Sequence, residues 1–183
     1  MTMRRWWTIV VVAAFLAVGA VGRANNEPPT PDEVRVCLER VKEFHGGAGP
    51  WAVVGYRIGM RASRELDLPR HDFRWRVVHR APEEIPFRCV ADGLSAATGA
   101  TVGKLNLIIE TVDRSALETI VTDRRDGRSL RFRLRPELVA SILDLPYDRL
   151  AAEGERVATL PDEAIFTLEP IATPPETSAV KPD

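Results

Sequence analysis

A histidine and a cysteine stand where their side chains could do chemistry. His45 precedes a glycine-rich turn, residues 46–50, from which a side chain can project into a cleft while backbone N–H groups point inward. Cys89 follows Arg88 near the expected start of a helix, where the helix dipole and a neighbouring cation would lower a thiol pKa. Such a thiolate suits metal ligation or redox reactivity. Lone histidines are more often structural, and that alternative stays open.

Two helices must position His45. Residues 30–33 combine a capping threonine, a first-turn proline and two carboxylates, which predicts a helix from there to about Phe44. After the glycine-rich turn, Pro50 favours the start of a second helix, and an apolar i, i+4 pattern extends it to about Leu66. His45 is therefore expected at the junction between the two.

Small residues are expected to bring the second helix close to its neighbours. Gly55 and Gly59 lie on one stripe of that helix and would let another backbone approach. A further helix of small residues is predicted over 90–98 and ends at Gly99, which places Cys89 at or near its N-terminus. Tight packing is the expected role of the two helix glycines.

The remaining segments alternate apolar and polar residues or carry helix starts, and together they predict an α+β fold with helices packed on a mostly antiparallel sheet. The predicted segments are a strand at 72–79, a buried strand at 105–110, a hairpin of 117–122 with 129–135 across Arg125–Gly127, helices at 136–143 and 150–157, and a strand at 164–168.

Composition limits the domain number and the partners. The chain has 183 residues, 45% of them hydrophobic, which is enough for one packed domain. Its formal net charge is -1 and its pI is about 6.3, so the overall charge predicts neither nucleic acid nor an anionic membrane as a partner.

The first 24 residues predict export. Arg4 and Arg5 precede an apolar run over 6–22, and small residues around Ala24 suit cleavage, so 1–24 is expected to be a signal peptide and the protein periplasmic or extracellular. The alternative is an uncleaved membrane anchor formed by 6–22. Residues 25–33 are expected to be a spacer, 34–169 the folded domain and 170–183 a disordered tail.

The two cysteines allow one disulfide or none. Cys37 falls on the apolar stripe of the first helix, which indicates a buried small hydrophobe. Its alternative is a bridge to Cys89, permitted in an oxidising compartment.

Several short motifs occur in a fixed order along the chain: Phe44-His45-Gly46, Asp92, Thr98-Gly99, Gly103-Lys104-Leu105-Asn106-Leu107 and Leu134-Arg135-Pro136. In this order and spacing they resemble the FmdE-like domain family, named for a component of formylmethanofuran dehydrogenase. The resemblance covers most of the exported part, so 34–169 is expected to be an FmdE-like domain, and it implies that the protein could form a homodimer.

The resemblance also implies a site. His45, Cys89 and Asp92 match positions that would supply nitrogen, sulfur and oxygen ligands to a divalent metal such as zinc, with a water or substrate completing the tetrahedron. Lys104 and Asn106 would shape the pocket edge or bind a group of a small ligand, with loop capping as the alternative. No other cofactor is expected.

The chain departs from the family pattern at the same site. A second histidine and a cysteine expected after Phe44-His45-Gly46 are absent, Ala100 replaces a further cysteine, and Leu105 replaces a glycine. Three hypotheses remain: an exported, degenerate metal- or small-ligand-binding module; a metal-free structural or interaction module; and a small metal- or thiol-dependent enzyme using Cys89 as nucleophile or ligand and His45 as base.

Other polar residues have simpler interpretations. His71 and His79 flank an arginine-bearing strand and are expected at the surface or at an edge. Arg131, Arg133 and Arg135 share one face of a predicted strand, which indicates a solvated sheet face, with anion binding as the alternative.

Overall fold

The computed structural model describes residues 27–173. Its helices and strands are α1 Pro31–His45, α2 Pro50–Leu66, β1 Trp75–Ala81, α3 Ile85–Thr98, β2 Leu107–Thr111, β3 Glu118–Asp123, β4 Ser129–Leu134, α4 Pro136–Ile142, α5 Leu150–Thr159, α6 Asp162–Ile165 and β5 Phe166–Ile171. Short 3₁₀ turns lie at Val102–Lys104, Arg114–Ala116 and Tyr147–Arg149.

The five strands form one sheet in the order β2-β1-β3-β4-β5. Strand β1 runs parallel to β2, whereas the β1–β3, β3–β4 and β4–β5 pairs are antiparallel. The parallel pair needs a crossover connection, and α3 supplies it. The predicted α+β fold with a mostly antiparallel sheet is confirmed, including the β3–β4 hairpin.

Local sequence signals set both ends of α1. The Thr30 side chain accepts a hydrogen bond from the Glu33 backbone N–H while the Glu33 carboxylate accepts one from the Thr30 N–H, which is a complete capping box. Gly46 ends the helix with φ 88°, a left-handed conformation that favours glycine. His45 is consequently the last residue of α1, next to the turn that the sequence predicted.

Helices α2 and α3 pack with their backbones almost in contact. A Cβ on Gly93 would lie 1.8 Å from the carbonyl oxygen of Ala52, and one on Gly55 would lie 2.0 Å from that of Val90. A Cβ on Gly59 would meet a side chain of α3 at 2.6 Å. The expected close approach at Gly55 and Gly59 is confirmed, and Gly93 provides the matching space on α3.

A single hydrophobic core lies between the helices and one face of the sheet. Alternate strand residues such as Trp75, Val77 and Val121 contribute to it. Helix α2 is the central element, because 13 of its 17 residues are buried. Cys37 belongs to this core, so its predicted role as a buried small hydrophobe is confirmed, and both cysteines are free thiols.

Some element boundaries differ from the sequence-based prediction. Helix α3 begins at Ile85 rather than near Val90, because Pro86 in its first turn is compatible with a helix and does not break it. Strand β5 continues to Ile171, where it pairs with Ser129, and so enters the segment predicted to be a disordered tail. Backbone pairing to β4 therefore extends the strand past Pro170.

His79 is buried, so its predicted surface or edge location is wrong. Its Nε2–H donates to the Phe87 carbonyl oxygen at 3.0 Å, and its Nδ1 accepts from the Thr119 hydroxyl at 2.9 Å. Burial lowers the pKa of His79 to about 4, with a smaller opposing effect from the Phe87 hydrogen bond. His71, in contrast, is exposed as expected.

The predicted signal peptide or anchor at 1–24, and residues 174–183 of the predicted tail, lie outside the described residues. Among residues 27–173, no helix is long and apolar enough to span a bilayer.

The buried imidazole predicts acid sensitivity. Between pH about 6.5 and about 4 the unfolded chain binds a proton at His79 that the folded chain does not, so the free energy of unfolding falls as the pH falls, by up to about 3 kcal/mol. Urea unfolding of the wild type and of His79→Gln at several pH values measures this. An equally steep pH dependence in the variant would rule His79 out as the cause.

The close contact between α2 and α3 at Gly93 predicts that adding a single methyl group there lowers the stability of the fold. Gly93→Ala should lower the free energy of unfolding by at least about 2 kcal/mol, because the new Cβ would overlap backbone atoms of α2. Gly47→Ala is the matched control, since nothing lies within 4 Å of its Cβ, and it should change stability by less than about 0.5 kcal/mol. Similar denaturation midpoints for the two variants would contradict the proposed packing.

Candidate functional site

His45 and Asp92 form a hydrogen-bonded pair at the surface. The His45 Nδ1 lies 2.7 Å from the Asp92 Oδ2, and the two side chains are 27% and 47% exposed. His45 ends α1 and Asp92 lies in the middle of α3, 47 positions away. A carboxylate accepts, so the Nδ1 carries the hydrogen and the Nε2 is left as the ring nitrogen available for another partner.

Cys89 lies on α3 three residues before Asp92, hence on the same side of the helix. Its thiol donates to the Ile85 carbonyl oxygen at 3.1 Å. Because α3 begins at Ile85, Cys89 is in the second turn and not at the N-terminus, and the expected lowering of its pKa is wrong. Burial, followed by the negative charge of Asp92, raises the pKa of Cys89.

The structure thus joins two of the three predicted metal ligands directly and places the third, Cys89, about one helical turn before Asp92 on α3. Among residues 27–173, no group of three or more His, Cys, Asp and Glu side chains is arranged to hold a metal ion. The donor types still suit zinc, since an imidazole nitrogen and a thiol sulfur are both present. In this arrangement Asp92 is suited to orient His45, because its Oδ2 is already engaged by the imidazole.

Lys104 and Asn106 make contacts within their own loop. The Lys104 Nζ donates to the Gly99 carbonyl oxygen at 2.8 Å. The Asn106 Oδ1 accepts from the Thr101 N–H at 2.9 Å, and its buried Nδ2 has no partner among the described residues. These contacts stabilise the loop between α3 and β2, while ligand binding by the two residues stays a prediction.

The arginines of β4 have carboxylate partners from neighbouring strands. Arg131 and Arg133 both pair with Glu118 of β3 and with Glu169 of β5, at 3.1 to 3.3 Å. Arg135 follows the strand and donates to the Glu163 carbonyl oxygen. The sheet face is therefore a network of ion pairs.

A cavity that the sequence did not predict lies between α1, α2 and α5. It has a volume of about 360 Å³, and Tyr56, Arg57 and Met60 are among its lining residues. Arg57 is buried and donates to Asp162 at 2.7 Å and to the Ala158 carbonyl oxygen at 2.8 Å. The arginines within the mostly buried helix α2 were the available signal in the sequence, but the partner Asp162 comes from a distant segment.

The protein is thus a small α+β domain, in which a histidine at the end of one helix meets an acidic residue of another. The model of the FmdE family, described as "FmdE, Molybdenum formylmethanofuran dehydrogenase operon", matches residues 44–167. That is more than half of the chain, and the chain therefore belongs to the FmdE family.

Two individual proteins are similar to this chain. A crystal structure of a tungsten formylmethanofuran dehydrogenase FmdE-like protein from Syntrophus aciditrophicus shares the fold, with a TM-score of 0.53 and 17% identity over 78% of this chain and 73% of that one. A "Probable S-adenosyl-L-methionine-binding protein" from Archaeoglobus fulgidus is 29% identical over 131 residues, 67% of this chain and 34% of that protein. The chain spans about a third of that curated relative.

The environment of Cys89 predicts that its thiol reacts slowly with alkylating reagents. Because its pKa is raised, Cys89 should react with iodoacetamide at pH 7.5 more slowly than an unstructured cysteine, and Asp92→Asn should accelerate the reaction by removing a nearby negative charge. Cys37, whose pKa burial raises to about 12, should react only after unfolding. Alkylation rates from peptide mass spectrometry test this, and rapid labelling of Cys89 at neutral pH would contradict it.

Proposed function

We propose that this protein is an exported FmdE-like domain that binds a divalent metal such as zinc, or a small ligand, at His45 and Cys89, with Asp92 holding the histidine. The observation that carries the proposal is the 2.7 Å contact between the His45 Nδ1 and the Asp92 Oδ2. It joins residues from two separate helices, whereas most ion pairs among residues 27–173 lie within one helix or between adjacent strands.

The geometry of the pair favours ligation through the Nε2 of His45. Histidines that bind metals commonly donate their other ring N–H to a carboxylate, which fixes the tautomer and the orientation of the ring. Asp92 does this here, and the 27% exposure of the His45 side chain leaves it accessible. The Nε2 of His45 can therefore bind a metal ion while the Nδ1 keeps its hydrogen bond to Asp92.

Cys89 is the second ligand in the proposal. It is half-buried beside Asp92, and its thiol makes only a weak hydrogen bond to the Ile85 carbonyl oxygen. A bound zinc ion would stabilise the thiolate and release its proton. Because the pKa of the free thiol is raised, protons compete strongly, and metal affinity should fall as the pH falls.

The ligand named for the Archaeoglobus fulgidus relative supports no assignment to this site. The match covers 34% of that protein, and the remaining part could carry its S-adenosyl-L-methionine site. Catalysis by Cys89 is also disfavoured, because burial and Asp92 both raise the pKa of its thiol.

Zinc titration of the full chain tests the proposal. After expression and purification without chelator, the wild type should bind one zinc ion per chain, and His45→Asn or Cys89→Ser should weaken binding at least about tenfold. Asp92→Asn should weaken it about 10- to 100-fold by releasing the orientation of His45. Competition with a chromogenic chelator measures all four affinities.

His71→Asn is the matched control, because His71 is an exposed histidine outside the site and its loss should leave zinc affinity unchanged. Zinc-free wild type would overturn the metal-binding proposal in favour of a metal-free interaction module. Zinc binding that survives His45→Asn would overturn the assignment of the metal to this site. The mass of the purified chain shows whether residues 1–24 have been removed, as the export part of the proposal requires.

A further inference from the structure

Three large apolar side chains project into solvent from two adjoining loops. Phe73, Val102 and Leu105 are 74%, 62% and 73% exposed, and we call them the Phe73 patch. The loops meet at Lys104, whose Nζ lies 5.7 Å from the centre of the Phe73 ring. Apolar clusters with a polar rim commonly mark a surface that binds a protein or a membrane.

Leu105 combines an uncommon backbone conformation with an exposed apolar side chain. Its backbone has φ 53°, the left-handed region that branched side chains rarely adopt. Its side chain is also exposed, so no packing within the described residues offsets this strain. Binding of this side chain to a partner outside the folded domain would account for an exposed leucine at this position.

Three cations near the patch have no carboxylate partner among residues 27–173. Arg70 donates to the Ala96 carbonyl oxygen at 3.0 Å, Lys104 to that of Gly99 at 2.8 Å, and Arg124 to that of Leu105 at 3.3 Å. The nearby Arg74 differs, since it pairs with two carboxylates, those of Asp72 and Asp123.

The charges lie close enough to affect one another. The pKa of His71 is lowered by the charge of Arg70, then by desolvation and the charges of Lys104 and Arg40. Arg70 and Lys104 therefore both lie close to His71, while Arg124 contacts the backbone of Leu105. The overall charge of -1 conceals this local excess.

We propose that the Phe73 patch, with Arg70, Lys104 and Arg124 around it, binds an anionic membrane surface. Separate projecting side chains suit hydrocarbon, which deforms around each of them, whereas a protein partner would need a matching pocket for every one. The cations would meet acidic headgroups at the same depth. This surface is distinct from the His45–Asp92 pair, and its binding does not depend on zinc.

A local probe separates this contact from any membrane binding by residues 1–24. The full chain carries Cys89→Ser, and an environment-sensitive fluorophore is attached at a Val102→Cys substitution. In the matched control protein the fluorophore is attached at Ile85→Cys. Ile85 is a largely exposed position at the other end of α3. Vesicles rich in phosphatidylglycerol should shift the emission at position 102 to the blue. Phosphatidylcholine vesicles should leave it unchanged, and position 85 should respond to neither.

Two further variants link the signal to the residues. Arg70→Gln with Arg124→Gln should weaken the vesicle response about tenfold or more, as should 0.5 M salt, roughly as expected from about 1 kcal/mol per surface cation. Leu105→Gly should weaken it while raising thermal stability, because glycine tolerates the left-handed backbone. No shift at position 102, or equal shifts at 85 and 102, would overturn the proposal and leave an acidic protein segment as the partner to examine.

Discussion

The close contact between α2 and α3 is the constraint on which the rest of the structure depends. Gly55 and Gly93 let each backbone reach the other, and any side chain larger than hydrogen at either position would overlap a carbonyl group. The two helices are therefore fixed along their length as one layer. The sheet packs against that layer, and α1 and α5 pack around it. Because Gly93 directly follows Asp92, the same contact determines where the site carboxylate stands.

The His45–Asp92 pair is a consequence of this packing. Gly46 ends α1 and leaves His45 at its last position, while α2 holds α3 so that Asp92 faces the end of α1. Nothing in either segment alone brings these side chains within 2.7 Å. Membership of the FmdE family fits this architecture, since residues 44–167 include the turn, both packed helices and all five strands in whole or in part.

Pairing of arginines divides the surface into neutral and positive regions. In the interior, Asp162 is shared by Arg57 and Arg61, so that two buried guanidinium groups have a carboxylate. On the sheet, Glu118 is shared among three arginines from neighbouring strands. The cations that remain around the Phe73 patch donate only to backbone carbonyls. A balanced total charge is thus compatible with a local surface that attracts anions.

The sequence by itself determined the elements whose signals are local. The capping box at Thr30, the glycine stop at Gly46 and the strand alternation predict the helices and the mostly antiparallel sheet, because these features depend on nearby backbone groups and side-chain period. Tertiary structure alone decided that His79 is buried, that His45 meets Asp92, and that Arg57 meets Asp162. Burial and long-range pairing depend on which surfaces meet, and a residue's own neighbours in sequence do not specify that.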